Sequence, residues 1–418
     1  MKRKRVVIVG MGFGGLSAAK ALSGGDFDVV MIDRHNYHLF QPLLYQVASA
    51  GLEQESIAYP LRALARGWRS TRFRLGEVKE VRFDRRTVIL EDGEEQYDYL
   101  ILAAGCRTNF FGIPGVEQHA FDLKNLAQAE ELRNHILLLF ERASREPDPR
   151  QRAALLTFVI VGGGPTGVEF SGALQELSRH VLSLDYPEIG RDETRIVLVE
   201  AAGNLLTAMP PELGHYAVDR LRAMGVDVLL ETRVVEAGPE SVSFHDGTTI
   251  RSHTLFWSAG VAAAGLADRL GAERGPAGRI VVNQDLSLTA HPEVFVIGDM
   301  ACLDQGGGPL PMMAPVASQQ GRYVADAITE RAAGRAPEAF RYHDKGSMAT
   351  IGRNAAVAVT HGCKLSGYPA WLAWLLLHLY YLIGFRNRLL VLMNWAVYYF
   401  FHERQVRLIT AGRARENG

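Results

Sequence analysis

The chain has 418 residues, with 45 lysines and arginines against 46 aspartates and glutamates, a formal charge of −1, and 42 glycines. That length allows two domains and part of a third, and the balanced charge offers no basic field to hold nucleic acid. Cys106, Cys302 and Cys363 stand far apart, with neither a Cys-x-x-Cys pair nor zinc spacing, so no metal site and no redox disulfide is expected.

"MKRKR" followed by "VVIVG" is too short an apolar run for a signal peptide, so a reducing, cytoplasm-facing compartment is expected. Residues 6–9 read as a strand, followed by the turn Gly10-x-Gly12-x-x-Gly15 and a helix. Glycine serves a tight turn, backbone approach to a pyrophosphate, and packing of helix on strand. The helix start adds free N–H groups and the positive end of a dipole. The next strand, "FDVVMID", closes on Asp33, eighteen residues after Gly15. That is near the roughly 20 residues expected for a carboxylate on ribose hydroxyls. "VRFDRRTVILEDGEEQYDYLILAAG" reads as alternating strands around the Asp92-Gly93 turn, then a buried run ending at Gly105. The charged, proline-rich "ASREPDPRQRAA" reads as a linker.

The whole pattern then returns. A strand at 156–161 leads into Gly162, Gly164 and Gly167, "RIVLVE" closes on Glu200, and a second hairpin turns at Asp246-Gly247 before a strand ending at Gly260. Glu200 lies thirty-three residues after Gly167, which requires "RHVLSLDYPEIGRDET" to extend the intervening helix. One glycine turn in a chain this rich in glycine says little; two, each with strand, helix and terminal acid, predict an α/β fold with two Rossmann-like dinucleotide-binding domains. "VFVIGDMA" ends a further buried strand at Gly298 and Asp299. An acid there suits ligand binding at a strand's carboxyl end or a simple Gly-Asp turn.

Taken together, these segments resemble the two-dinucleotide-binding-domain flavoproteins, in which a second fold is inserted into the first. The resemblance implies FAD on Gly10, Gly12, Gly15, Asp33, Gly105, Gly298 and Asp299, and NADH on Gly162, Gly164, Gly167, Glu200 and Gly260. It divides the chain into an FAD-binding domain at 1–112 and 283–335, an NADH-binding domain at 113–282 and a C-terminal membrane-association region at 336–418. "FQPLLYQVASAG" lacks the cysteine pair of the disulfide reductases, and the lone Cys106 reads as packing.

"PMMAPVASQQGRYVADAI", from Pro311, resembles the A-Q-x-A-x-Q-Q signature of type II NADH dehydrogenases, the single-subunit NADH:quinone oxidoreductases, with Pro315 in place of the first glutamine. "FRYHDKGSMATIGRNAAV" and "HLYYLIGFRNRLLVLMNW" are similar to that family as well. The resemblance implies Glu169, Gln319 and Gln320 as catalytic groups and Val316 with Gln319 at the quinone. A glutamine amide both donates to a quinone carbonyl and accepts from the reduced hydroxyl. The residues alone equally allow a helix-start cap for the glutamine and a dipole-favoured first-turn acid for Glu169.

"PAWLAWLLLHLYYLI" (369–383) and "LLVLMNWAVYYFF" (389–401) are the most apolar stretches, yet shorter than the roughly 20 residues that span a bilayer. With Trp371, Trp374, Trp395 and Arg386, Arg388, Arg404 and Arg407 at their margins, they suit the interfacial plane of a membrane; a buried or dimer-forming helical pair is the other reading. The expected activity passes a hydride from NADH to FAD and two electrons on to a membrane quinone, without pumping protons, in a homodimer on the cytoplasmic face. A soluble NADH-dependent flavoprotein reductase and a slow-turnover flavoprotein sensor remain alternatives.

Overall fold

The computed structural model describes residues 3–410 apart from 402 and 405. Contacts divide the chain into two compact units. The first is Met1–Leu39, Ala58–Arg107 and Val261–Lys345; the second is Phe40–Ile57, Thr108–Gly260 and everything from Gly346 onward.

In the first unit, apolar runs form a parallel sheet whose inner strands are buried on both faces, while its edge strand Thr71–Leu75 alternates polar and apolar residues. Its order is Val294–Val296, Tyr99–Leu102, Lys4–Val9, Phe27–Asp33, Thr71–Leu75. Register pairs Val9 with Ile32 on one side and Leu102 on the other, so these strands end level and their carboxyl ends form one rim. Helix Phe13–Leu22 follows the first glycine turn and packs on helix Ala314–Ala332. The two backbones meet at Gly14 and Gly321, where a Cβ on Gly321 would collide with the Gly14 carbonyl. That approach brings the start of the second helix to Gly298.

The second unit repeats the sheet: Ala120–Phe121, Thr254–Trp257, Thr157–Val161, Arg195–Val199, Asp227–Leu229, all parallel. A three-stranded antiparallel sheet accompanies each unit, Val78–Arg82 to Gly93–Gln96 in one and Val234–Ala237 to Thr249–Arg251 in the other. The whole-domain repeat is thus present in the fold.

Several boundaries differ from the sequence reading. The first strand starts at Lys4 and its counterpart at Thr157. Helix Pro165–Leu177 does continue, through a π-helical stretch Ser178–Leu182 to Ser183–Asp185, but residues 186–194 are irregular, so the insertion is only partly helical. The expected linker is no linker. Asp148 caps a helix Pro149–Leu155 whose Ala154 and Leu155 are buried inside the second unit, and the chain leaves the first unit at Arg107. Residues 261–282, expected in the NADH domain, belong to the first unit.

The C-terminal region also packs as part of the second unit. Its antiparallel sheet, Ser347–Gly352, Ala355–Thr360 and Cys363–Ser366, lies against helix Pro165–Leu177. A Cβ on Gly172 would stand 2.5 Å from the Ile351 carbonyl oxygen, so glycine is what lets that sheet approach the helix. Helices Gly367–Tyr381 and Phe385–Phe401 complete the unit.

Candidate active site

Both glycine turns are built alike. Gly10 and Gly162 take φ of +94° and +111° against the end of the neighbouring strand, where a Cβ would run into the backbone of Ala103 or Ala259. A Cβ on Gly15 or Gly167 would collide with the carbonyl oxygen of Gly10 or Gly162. The middle glycines differ: a Cβ on Gly12 or Gly164 would meet nothing within 4 Å, and their φ values are −69° and −73°. Neither packing nor backbone angle asks for glycine there, which fits a turn kept bare for a pyrophosphate.

The strand-end acids also match. Asp33 accepts the Met11 N–H at 2.6 Å and the His35 N–H at 2.8 Å. Glu200 accepts the Gly163 N–H at 2.5 Å and the Ala202 N–H at 2.8 Å. Each carboxylate is pinned beside its turn with lone pairs left for ribose hydroxyls. Gly105, Gly260 and Gly298 all have positive φ, at +74°, +78° and +65°, and turn the chain at their strand ends. Asp299 follows, half-buried, in a short 3₁₀ helix, Gly298–Met300. The first unit therefore fits FAD in its residues as well as in its sequence pattern.

The glutamines part company. Gln320 is 1% exposed; its Oε1 accepts the Gly298 N–H at 2.6 Å, while its Nε2 has no hydrogen-bond partner among the described residues. A buried, unmatched donor beside a strand end suits a ligand that brings an acceptor. Gln319 instead closes both amide ends on one residue: Nε2 donates to the His343 carbonyl at 2.9 Å and Oε1 accepts the His343 N–H at 3.0 Å. Val316 is 1% exposed and covered by protein. Helix Ala314–Ala332 thus turns Val316, expected at the quinone, inward, and pairs Gln319, expected there with it, to the His343 backbone.

Glu169 lies just past the first turn of helix Pro165–Leu177, which holds no acid, on the face covered by the C-terminal sheet. The Thr350 N–H reaches its Oε1 at 3.3 Å. Burial lifts its carboxyl to about 8, against the opposing pull of that N–H and of the Trp374 indole. Seven residues on, along the same helix, Glu176 accepts the Tyr398 hydroxyl at 2.7 Å and pairs with Arg404 at 3.4 Å. Glu176 and Arg404 line a cavity of about 590 Å³, its mouth included, together with Tyr45, Gln46, Trp374 and Trp395. Sequence reading missed Tyr45, Glu176 and this role for Arg404. The seven-residue spacing from Glu169 is a signal that would have found Glu176.

The tail is two-faced. Ala370, Trp374, Leu382, Asn387 and Val391 turn inward, whereas Leu376, Tyr380, Phe385, Leu389 and Phe400 are exposed, Phe385 by 82%. The expected outward tryptophans are corrected. Trp374 is buried, Trp395 donates from Nε1 to Gln46 at 2.8 Å, and Trp371 stacks on Tyr399. Arg404 and Arg407 also face protein, pairing with Glu176 and with Asp185 at 3.1 Å. No described helix is long and apolar enough to cross a membrane. No disulfide joins the three cysteines, and no cluster of metal-ligating side chains occurs among the described residues.

Comparison with known proteins bears on this site directly. A family profile described as pyridine nucleotide-disulphide oxidoreductase matches residues 4–321, and one described as NDH2 C-terminal domain matches residues 344–404. The type II NADH:quinone oxidoreductase Ndh of Mycobacterium tuberculosis is 41% identical, covering 99% of this chain and 92% of that relative. The internal alternative NAD(P)H-ubiquinone oxidoreductase A1 of Arabidopsis thaliana mitochondria is 32% identical over 96% of this chain and 85% of its own length. The structure of NDH2 from Plasmodium falciparum in complex with NADH superposes with a TM-score of 0.89 at 18% identity, over 98% of this chain and all of that one, and shows the same fold. By its sequence over nearly its full length, this chain belongs to the type II NADH:quinone oxidoreductases.

Proposed function

We propose that the protein oxidises NADH and reduces a membrane quinone, binding FAD in the first unit and NADH in the second. The observation that carries this reading is the doubled glycine cradle, in which Gly12 and Gly164 stay bare for no reason internal to the protein. FAD, when bound, accepts the hydride and hands two electrons to the quinone. The chain's own residues position, select and supply a proton.

Glu200 takes the ribose hydroxyls of NADH and repels the extra phosphate of NADPH; the "AAGN" that follows carries no arginine to welcome it. NADH, one proton and quinone give NAD⁺ and quinol, so one proton is required beyond the hydride. Glu169, held protonated at neutral pH by its burial, is the source of that proton. Gln320 Nε2 is the amide donor left free for an acceptor, whereas Gln319 Nε2 already donates to the His343 carbonyl. The absence of a spanning helix among the described residues agrees with a reaction that pumps no protons.

The exposed apolar face of the two C-terminal helices docks on the cytoplasmic face of the membrane, where a lipid-soluble acceptor is met. Part of that face is left for a second copy of the chain, giving a homodimer. The test is NADH oxidation by the FAD-loaded protein with menaquinone and ubiquinone analogues, with and without anionic vesicles. Quinone-dependent turnover that rises with vesicles is expected. Turnover with ferricyanide but with no quinone would return the protein to the soluble reductases.

A further inference from the structure

Tyr45 belongs to "FQPLLYQVASAG", where helix Leu44–Ala48 carries it into the core of the second unit. It is 4% exposed, and the Trp374 ring meets it edge-on at 6.5 Å, fixing its plane. Its hydroxyl oxygen accepts the Gln46 Nε2–H at 2.9 Å, and Gln46 Oε1 in turn accepts the Trp395 Nε1–H at 2.8 Å. This relay orients the amide so that its N–H, not its oxygen, faces Tyr45. The phenol is therefore filled from one side as an acceptor, and its own proton has no acceptor among the described residues. A buried O–H without an acceptor is costly. Tyr45 lines the cavity already described, which is where that proton is free to point.

We propose that Tyr45 donates a hydrogen bond to a carbonyl oxygen of the quinone, with Gln46 and Trp395 as the groups that aim it. The proposal rests on the quinone reading given above and adds a residue to it. Burial, and then the nearby Glu169 carboxyl, hold the phenol's proton more tightly than usual, the Gln46 bond pulling the other way. Tyr45 thus keeps its proton as a donor while Glu169 is the group that gives one up. Charge developing on the quinone oxygen strengthens the bond as reduction proceeds.

The test compares Tyr45→Phe with the parent protein, using menadione as the probe. Quenching of tryptophan fluorescence reports binding, because Trp374 and Trp395 line the cavity. Losing one neutral hydrogen bond should weaken menadione binding by roughly 3- to 10-fold, and menadione-dependent turnover should fall at least as far. Stopped-flow reduction of the flavin by NADH, and reoxidation by ferricyanide, which takes no proton, should stay at parent rates. Trp395→Phe removes the donor to Gln46 and should give the same pattern at roughly 2- to 3-fold; it carries the test alone if Tyr45→Phe does not fold. Unchanged menadione affinity and turnover in Tyr45→Phe overturn the proposal, as does an equal loss with ferricyanide, which would mark a packing role. If Glu169→Gln slows menadione reduction while Tyr45→Phe does not, only this inference falls. If the parent protein reduces no quinone, the reading beneath it falls instead.

Discussion

The two units present one cradle in two settings. Gly10, Gly12, Gly15 and Asp33 have counterparts in Gly162, Gly164, Gly167 and Glu200, down to the N–H groups that each acid accepts. What differs is the back of the helix that follows. Two residues past Gly15 stands Ser17, half-buried; two past Gly167 stands Glu169, buried under a sheet that only the second unit possesses. The first helix packs on another helix through Gly14 and Gly321, the second on the C-terminal sheet through Gly172. The repeated cradle thus leaves the opposite helix face free to diverge, and in the second unit a buried acid stands there.

The comparison breaks most visibly in the glycines. Gly15→Ala and Gly167→Ala push a methyl into a backbone carbonyl and should each cost about 3 kcal/mol or more, read as lost soluble yield or a lowered Tm. Gly12→Ala and Gly164→Ala should cost about 1 kcal/mol or less yet separate by ligand: the first loses FAD, and the second keeps FAD and raises the KM for NADH. Equal effects of Gly12→Ala and Gly164→Ala on FAD content would end the assignment of one cofactor to each unit.

Next in size is the face found only in the second unit. Leu376, Phe385 and Phe400 are largely exposed, and burying such a side chain is worth about 1.5–3 kcal/mol. Changing all three to serine should lower vesicle co-sedimentation by roughly 100-fold or more. Trp371→Phe with Trp395→Phe should hardly alter it, because those rings face protein. Release by the tryptophan pair and not by the serine triple would reverse the orientation of the helices.

Glu169 is the sharper chemical contrast. Its carboxyl carries a proton below about pH 8 and loses it above, so quinone-dependent turnover should fall as pH rises through 8. Glu169→Gln should remove that limb and lower turnover by roughly 100-fold. The stability effect has a definite sign. The folded carboxyl binds a proton that the unfolded one, near its ordinary 4.5, releases. That contribution is complete below 4.5 and is lost as pH climbs to 8, so the glutamine variant should gain on the parent between pH 5 and pH 8.

The smallest predicted change concerns the paired acids. Glu200→Gln removes the charge proposed to repel the NADPH phosphate and should lower the ratio of kcat/KM for NADH over NADPH by roughly tenfold. Equal efficiency with the two nucleotides in the parent protein would show that Glu200 does not select.

The two sheets, the glycine turns and the strand-end acids were legible in the sequence because each depends on local rules: β-branched runs, glycine at fixed offsets, and an acid closing a strand. The 143–154 stretch misled for a local reason as well. Its prolines and charges mark a loop, but Asp148 and Pro149 also start a helix, and only the burial of Ala154 and Leu155 decides between the two. The same limit appears at Gln319 and Gln320, adjacent in sequence and alike in chemistry. One turns to His343 and the other to Gly298 because successive residues on a helix point about 100° apart.

The repeat, the paired cradles and the apolar tail follow from the order of residues alone, since strand, turn and helix are each set within a few positions along the chain. The tail's orientation and the cavity lined by Tyr45, Glu176, Trp395 and Arg404 were decided by tertiary packing. Tyr45, Glu169, Trp395 and Arg404 come from four distant stretches, and nothing in the spacing of one fixes where the others will lie. Burial follows the same division. Composition can say that Trp374 is apolar, but only the sheet and helices closing over it decide that it faces Tyr45 and the Glu169 carboxyl while Phe385 faces outward.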